Sequence, residues 1–211
     1  MATTDIELSA LADLLTERAG AGRIVVAIAG APGSGKSTLA DRLAALIDTR
    51  MPGAAVVLPM DGYHYDDRLL DALGRRARKG AADTFDVAGF RHMLARLRDN
   101  REEAVAVPVF DRDIEIARAG ARFVPQSARI IIAEGNYLLL DEEPWSALQP
   151  LFDVTVFIDV DEATLRARLE ERWRGYGLRE EQIRAKVEEN DLPNGRHVIT
   201  GSVVADYRVR T

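Results

Sequence analysis

The run Gly30-Ala31-Pro32-Gly33-Ser34-Gly35-Lys36-Ser37 sets two glycines with four residues between them, Gly30 and Gly35, and follows the second with Lys and a hydroxyl. Those residue types in that order suit a phosphate-binding loop. Gly30, Gly33 and Gly35 let the backbone curl so that successive N–H groups, including those of Ala31, Pro32's neighbours and Ser34, converge on phosphate oxygens. Lys36 can reach β- and γ-phosphates, the Ser37 hydroxyl can ligate Mg²⁺, and Thr38 adds a second hydroxyl at the same place. The plain alternative is a glycine-rich turn without ligand. Glycines, Lys, Ser and the flanking patterns all agree on a nucleoside triphosphate instead.

A second group of chemistry-bearing residues closes other apolar runs. Ala54 to Met60 reads as a strand and ends at Asp61-Gly62-Tyr63-His64-Tyr65-Asp66-Asp67. Ligands of open parallel sheets bind beyond the carboxyl ends of strands, so Asp61, Tyr63 and His64 are placed to meet an acceptor. A polar turn with exposed tyrosines is the alternative. Arg129 to Ala133 is another buried strand, ending at Glu134. A carboxylate there can hold Mg²⁺, directly or through water. Asp83 has no evident capping duty and is free for substrate, whereas Asp86 caps a helix carrying Phe90, Met93, Leu94 and Leu97.

Further along, Ile114, Ile116, Ala121 and Phe123 alternate around Gly120 and predict a hairpin. It would form a flap over the acceptor, with Phe110, Asp111 and Arg112 at its base. An exposed ion pair there is equally consistent. Arg168 and Arg172 border the apolar stripe Leu165, Leu169, Trp173 and could reach phosphates from a lid, or simply snorkel from a surface helix. The basic stretch from Arg68 to Gly80 reads as a solvated surface segment. His64, His92 and His197 show no metal-ligand spacing.

The elements that must position these groups alternate in type. Thr4-Asp5-Ile6-Glu7 has a capping-box pattern and predicts a helix with Leu8, Leu11, Leu14 and Leu15 inward. Ile24 to Ala29 is a buried strand before the loop, and Leu39, Leu43, Leu46 and Ile47 mark a helix after it. Val154 to Ile158 adds a strand, Asp161 caps the next helix, and Arg179 to Asn190 is helical. Asp191 to Gly195 then predicts a turn, and Val198 to Tyr207 a last strand. Strands alternating with helices predict a three-layer α/β fold with a mostly parallel sheet.

Bulk properties narrow the function. At 211 residues the chain suits a single domain over 1–211 with a sizeable core. A formal charge of −6 gives no electrostatic reason for nucleic acid or an anionic membrane. The absence of cysteine removes disulfides, thiolate nucleophiles and Cys-based metal sites. No apolar run approaches a bilayer span, and the start lacks a signal-peptide pattern, so a cytoplasmic enzyme is expected. Self-association as a homodimer stays open.

Taken in order, Gly30 to Ser37, Met60-Asp61-Gly62-Tyr63-His64, Asp83-Thr84-Phe85-Asp86, Val107-Pro108-Val109-Phe110, Ala133-Glu134-Gly135 and the arginine helix form a recognisable set. The set resembles the phosphoribulokinase, uridine kinase and pantothenate kinase family of P-loop kinases, from about Ile24 to Asn194. Asn190-Asp191-Leu192-Pro193-Asn194 resembles bacterial members described as fructose-transport-system kinases. The resemblance implies a nucleotide-kinase-like P-loop fold with a small helical lid at about 168–180 and an acceptor-side hairpin at about 110–124. It also implies that Asp61 takes the acceptor hydroxyl proton and Asp83 holds acceptor hydroxyls. Arg168 and Arg172 would close over the ATP phosphates, and Asn190 and Asn194 would lie near adenine. Uridine kinases read His-Pro-Asp where this chain has Ala81-Ala82-Asp83, a departure that argues against a nucleoside acceptor. The expected activity is ATP- and Mg²⁺-dependent phosphorylation of a hydroxyl on a small polar metabolite, a sugar foremost. Nucleoside or pantothenate kinase is the alternative of the same chemistry. An ATP-binding regulator or slow ATPase of a transport system is the alternative of another class.

Overall fold

Strand β2 (Ile24–Gly30) is buried at every residue, because it has a neighbour strand on each side and a packed layer on each face. The computed structural model describes residues 3–210 and arranges six strands in the order β1 (Thr4–Asp5), β8 (Tyr207–Arg210), β7 (Val154–Asp159), β2, β6 (Ile130–Gly135), β3 (Ala55–Pro59). Every pairing in this sheet is parallel. Side chains of a strand alternate between faces, so β2 divides itself between two cores. Ile24, Val26 and Ile28 join one cluster with Leu11, Leu15, Leu39, Leu43 and Ile47. Val25, Ala27 and Ala29 join the other with Phe90, Leu94, Tyr137 and Trp145. The first face is covered by α1 (Leu8–Ala19) and α2 (Lys36–Arg50), the second by α4 (Val87–Asp99) and a 3₁₀ turn at Trp145–Leu151. This is the expected three-layer α/β arrangement.

A short helix α3 (Asp67–Ala72) follows β3, and a separate antiparallel hairpin joins β4 (Ala104–Asp111) to β5 (Ile116–Pro125). The hairpin leans on the edge strand β3, where Arg122 donates to the Val57 carbonyl. After β7, the Asp161 carboxylate accepts from the Thr164 amide at 2.8 Å and opens α5 (Glu162–Gly175), as its position predicted. Asp86 likewise caps α4 by accepting from the Gly89 amide at 2.8 Å. Helix α6 (Glu180–Lys186) then runs through a π-helical turn at Val187–Asp191 into α7 (Leu192–Gly201).

Four local expectations are corrected. Thr4 and Asp5 make no capping box; they pair with Tyr207 and Arg208, and α1 starts after Glu7 without a side-chain cap. The hairpin turns between Asp111 and Ile116, not at Gly120, which lies within β5 at a positive φ. Arg112 is therefore at the hairpin tip, not its base. Asp191 to Gly195 is helical, since Pro193 falls in the first turn of α7, where its missing N–H costs nothing. Consequently Val198 is a buried helix residue, and the last strand begins only at Tyr207. Finally, the Arg68 to Gly80 stretch is largely exposed as expected, but its end at Arg76, Lys79 and Gly80 enters the cavity described next.

Candidate active site

A cavity of about 230 Å³ opens at the carboxyl ends of β2, β3 and β6. Its floor is the loop from Gly30 to Lys36. Gly33 and Gly35 take φ values of +82° and +89°, a region that a side chain disfavours. A Cβ on Gly30 would lie 2.8 Å from Ser34 Oγ and 3.1 Å from the Ile158 carbonyl, so that glycine is required by close approach. Helix α2 begins at Lys36 and points its free amides, with the positive end of its dipole, into the same space.

Lys36 is 8% exposed, and its Nζ donates to the Ala31 carbonyl at 3.0 Å. Burial pulls its pKa down to about 8, against the opposing pull of Glu134 and Asp61. Ser37 Oγ donates to Glu134 Oε1 at 3.1 Å. Burial, reinforced by the charge of Asp61, pushes Glu134 up to about 7. Lys36, Ser37 and Glu134 thus converge as the strand ends and helix start required. Among the described residues no group of three His, Cys, Asp or Glu could hold a metal. The Ser37 hydroxyl and Glu134 carboxylate are hard oxygen donors of the kind Mg²⁺ takes. Two protein oxygens leave the remaining positions for phosphate and water, which is how Mg²⁺ commonly binds in such sites.

Asp61 lines the same cavity from the 3₁₀ turn Met60–Tyr63 that ends β3. Its Oδ2 accepts from Arg112 Nη2 at 2.5 Å, so the hairpin tip reaches directly onto it. His64 Nδ1 lies 2.8 Å from the Asp61 carbonyl, which can only accept, so that nitrogen carries the proton. The His64 ring packs between Phe85 (4.1 Å between centroids) and Phe110 (4.7 Å). Burial lowers its pKa, which keeps the ring neutral with Nε2 as an acceptor. Phe110 itself lines the cavity.

Two expected contacts fall elsewhere. Tyr63 turns into the core against Phe90, at 4.8 Å between ring centroids, and does not line the cavity. Asp83 is not part of the lining either; its carboxylate pairs with Arg75 at 2.7 Å on the exposed side. Arg172 lines the cavity from α5, while Arg168 one turn earlier donates to the Ser34 carbonyl at 3.5 Å, behind the loop. Asn190 and Asn194 line it from the π turn and α7, both almost fully buried. Asn194 Nδ2 donates to Asn190 Oδ1 at 3.4 Å, and Gly195 brings α7 against Ala31, where a Cβ would sit 3.4 Å from that residue's own.

Sequence reading missed several lining residues. Arg76 and Lys79 come from the basic stretch, Trp173 and Tyr176 from the far end of α5, Lys186 from α6. Trp173 Nε1 donates to Asp191 Oδ2 at 2.7 Å, and Lys186 lies 5.4 Å from the Trp173 ring. The spacing of Trp173 marks it only as part of a core stripe; the position of its indole nitrogen is set by Asp191 of the π turn, which no local pattern foretells.

The chain as a whole is similar to known proteins. The Phosphoribulokinase / Uridine kinase family profile matches residues 25–199. The chain is 35% identical over 191 residues to a "putative uridine kinase" of Schizosaccharomyces pombe, covering 87% of this chain and 81% of that protein. It is 26% identical to the pantothenate kinase of Enterococcus faecalis, over 71% of this chain and 47% of that one. The crystal structure of a "putative fructose transport system kinase" from Silicibacter sp. TM1040 superposes with a TM-score of 0.89 at 42% identity, covering 96% of this chain and 98% of the other.

Proposed function

Because this chain belongs to the phosphoribulokinase and uridine kinase family of P-loop kinases, and so transfers a phosphoryl group to a small metabolite, we propose that the donor is ATP with Mg²⁺ and the acceptor a sugar or polyol hydroxyl. The observation carrying this reading is the single cavity that holds Lys36, Ser37 and Glu134 on one wall and Asp61, His64 and Phe110 on the other. A nucleotide switch needs only the first wall. The second offers a carboxylate, an imidazole nitrogen and an aromatic face, a set suited to a polyhydroxy compound.

In the mechanism, the loop amides of Gly33 to Thr38 cradle the phosphates and Lys36 exchanges its bond to the Ala31 carbonyl for the transferring group. Mg²⁺, when bound at Ser37 and Glu134, neutralises charge on the β- and γ-phosphates. Asp61 accepts the hydroxyl proton as the acceptor oxygen forms its bond to the γ-phosphorus. The bond from that phosphorus to the bridging oxygen breaks, and ADP leaves with the electron pair. Arg172, with Arg168 behind it, answers the charge that spreads over the transferring group. Asn190 and Asn194 face the nucleotide. The chain works as one kinase domain, with a lid at about 168–180 and an acceptor-side hairpin at about 110–124.

The test is ADP release from ATP and Mg²⁺ over a panel of sugars, polyols, nucleosides and pantothenate. Release that depends on a sugar or polyol is the expected result. Equal release with no acceptor would overturn the reading in favour of an ATPase.

A further inference from the structure

We infer that the acceptor carries an anionic group, a phosphate monoester or a carboxylate, apart from the hydroxyl that receives the phosphoryl group, and that Lys79 and Arg76 bind it. This deepens the kinase reading above and rests on it.

The charge arrangement carries the inference. Lys79 Nζ pairs with Asp67 Oδ1 at 2.7 Å, and Arg76 Nη2 pairs with Asp67 Oδ2 at 2.6 Å. One carboxylate thus answers two cations that both line the cavity, while Asp67 itself is not in the lining. Glu115, at the rim, meets Lys79 through its carbonyl, not its carboxylate. Arg112 is already answered by Asp61. Lys79 and Arg76 therefore share a single carboxylate within pairing distance, although the Glu115 carboxylate also lines the cavity.

Its position is held firmly. The Lys79 side chain is 9% exposed, and burying a charge without a full counter-charge is unfavourable unless something else completes it. The backbone beside it is clamped: Tyr137 Oη donates to the Gly80 carbonyl at 2.7 Å, Asn190 Nδ2 to the Lys79 carbonyl at 3.3 Å, and the Gly80 amide to Thr84 Oγ1 at 3.0 Å. Lys79 Nζ stands 5.3 Å from the Phe110 ring centre, and Arg112 Cζ stands 5.7 Å from the same ring. Phe110 therefore lies between the Asp61 end of the wall and the cationic end. A compound lying along that ring presents a hydroxyl to Asp61 and an anion to Lys79 and Arg76. Two of the three Lys79 protons go to Asp67 and the Glu115 carbonyl, which leaves one for the ligand.

The experiment measures ADP release with three acceptors that have the C2 to C5 hydroxyls in common: a hexitol, its 6-phosphate and the corresponding aldonate, with pantothenate as a carboxylate that is not a sugar. At least one anionic sugar derivative is expected to have a KM ~10-fold or more below the hexitol's, the worth of one charge-assisted hydrogen bond. Whether the phosphate or the aldonate shows this identifies the anion. Lys79→Met and Arg76→Gln should each shrink that preference by ~10-fold, as loss of such a bond requires. If Lys79→Met does not fold, Arg76→Gln at a half-exposed side chain supplies the same readout. A KM for the hexitol at or below both anionic forms overturns the inference and leaves the sugar kinase standing. Preference for pantothenate that depends on Lys79 supports the inference and overturns the sugar. Variants that shift all acceptors equally show a purely structural ion cluster, and no release with any acceptor defeats both readings.

Discussion

Lys36 and Glu134 are buried ionisable groups that oppose each other's discomfort, and they are where single substitutions are most telling. Removing the Lys36 ammonium deletes a charge that burial disfavours and a single bond to the Ala31 carbonyl. Lys36→Ala should therefore keep its melting temperature while kcat falls by at least ~10²-fold, as when one preorganised stabilising group is lost. Near-normal turnover would exclude this loop as the phosphate site. Glu134, raised to about 7 from an ordinary carboxylate value, binds its proton more tightly folded than unfolded. That contribution to stability is complete below the unfolded value near 4.5 and is lost as pH rises through about 7. Melting temperature of the nucleotide-free protein should accordingly carry a downward component between those values, and Glu134→Gln should remove it. An identical pH profile in the variant would count against a buried, protonatable Glu134. The two aspartates separate by position. Asp61→Asn should cut kcat by ~10²–10⁴-fold through loss of the base. Asp83→Asn, which breaks only an exposed pair with Arg75, should alter acceptor KM by no more than about fivefold. The opposite ranking in steady-state kinetics would move the base to Asp83.

Helix α5 shows how an element serves the site through its two flanks. Leu165 and Leu169 bury its inner stripe, and Leu169 packs so closely that a Cβ on Gly33 would lie 3.0 Å from its Cγ. The phosphate loop and α5 are thus in direct contact. From the last turns, Arg172, Trp173 and Tyr176 face the cavity, and the Trp173 bond to Asp191 ties α5 to the π turn. Arg172→Ala should lower kcat more than it weakens ATP binding, because its charge counts most when charge spreads in the transition state. Comparing kcat with the dissociation constant for a non-hydrolysable ATP analogue checks this; an effect confined to binding would reduce Arg172 to a ground-state contact. The hairpin contributes differently, bringing Arg112 onto Asp61 from a strand pair that is not part of the main sheet.

Across the whole molecule, the cavity is assembled from segments spread between Pro32 and Asn194, so a ligand that fills it joins the loop, the β3 end, the hairpin and α5. A non-hydrolysable ATP analogue with Mg²⁺ at a hundred times its dissociation constant should stabilise the fold by about 2.7 kcal/mol. For a chain of this size each kcal/mol moves the melting temperature by about 2–4 °C, so a rise of roughly 5–10 °C is expected. Calorimetry of the wild type beside Lys36→Ala tests it, and no rise in the wild type would refute nucleotide binding at this site.

Sequence alone determined the phosphate loop, the strands that carry it and the acids that end β3 and β6, because each is specified within a dozen residues. Glycine conformation, strand burial and helix capping are local, so Gly33, Glu134, Asp86 and Asp161 were legible from neighbours. Tertiary structure decided what depends on partners far along the chain. Thr4 and Asp5 are a strand only because Tyr207 and Arg208 lie beside them. Asp83 was left free by its neighbourhood but is occupied by Arg75, while Tyr63 turns inward to Phe90. Lys79 became part of the site only when Asp67, Gly80's bond to Tyr137 and the Phe110 hairpin closed around it. A lysine in a charged run has no periodicity to announce its direction. Its direction is set by the counter-charge and packing that meet it after the chain has folded.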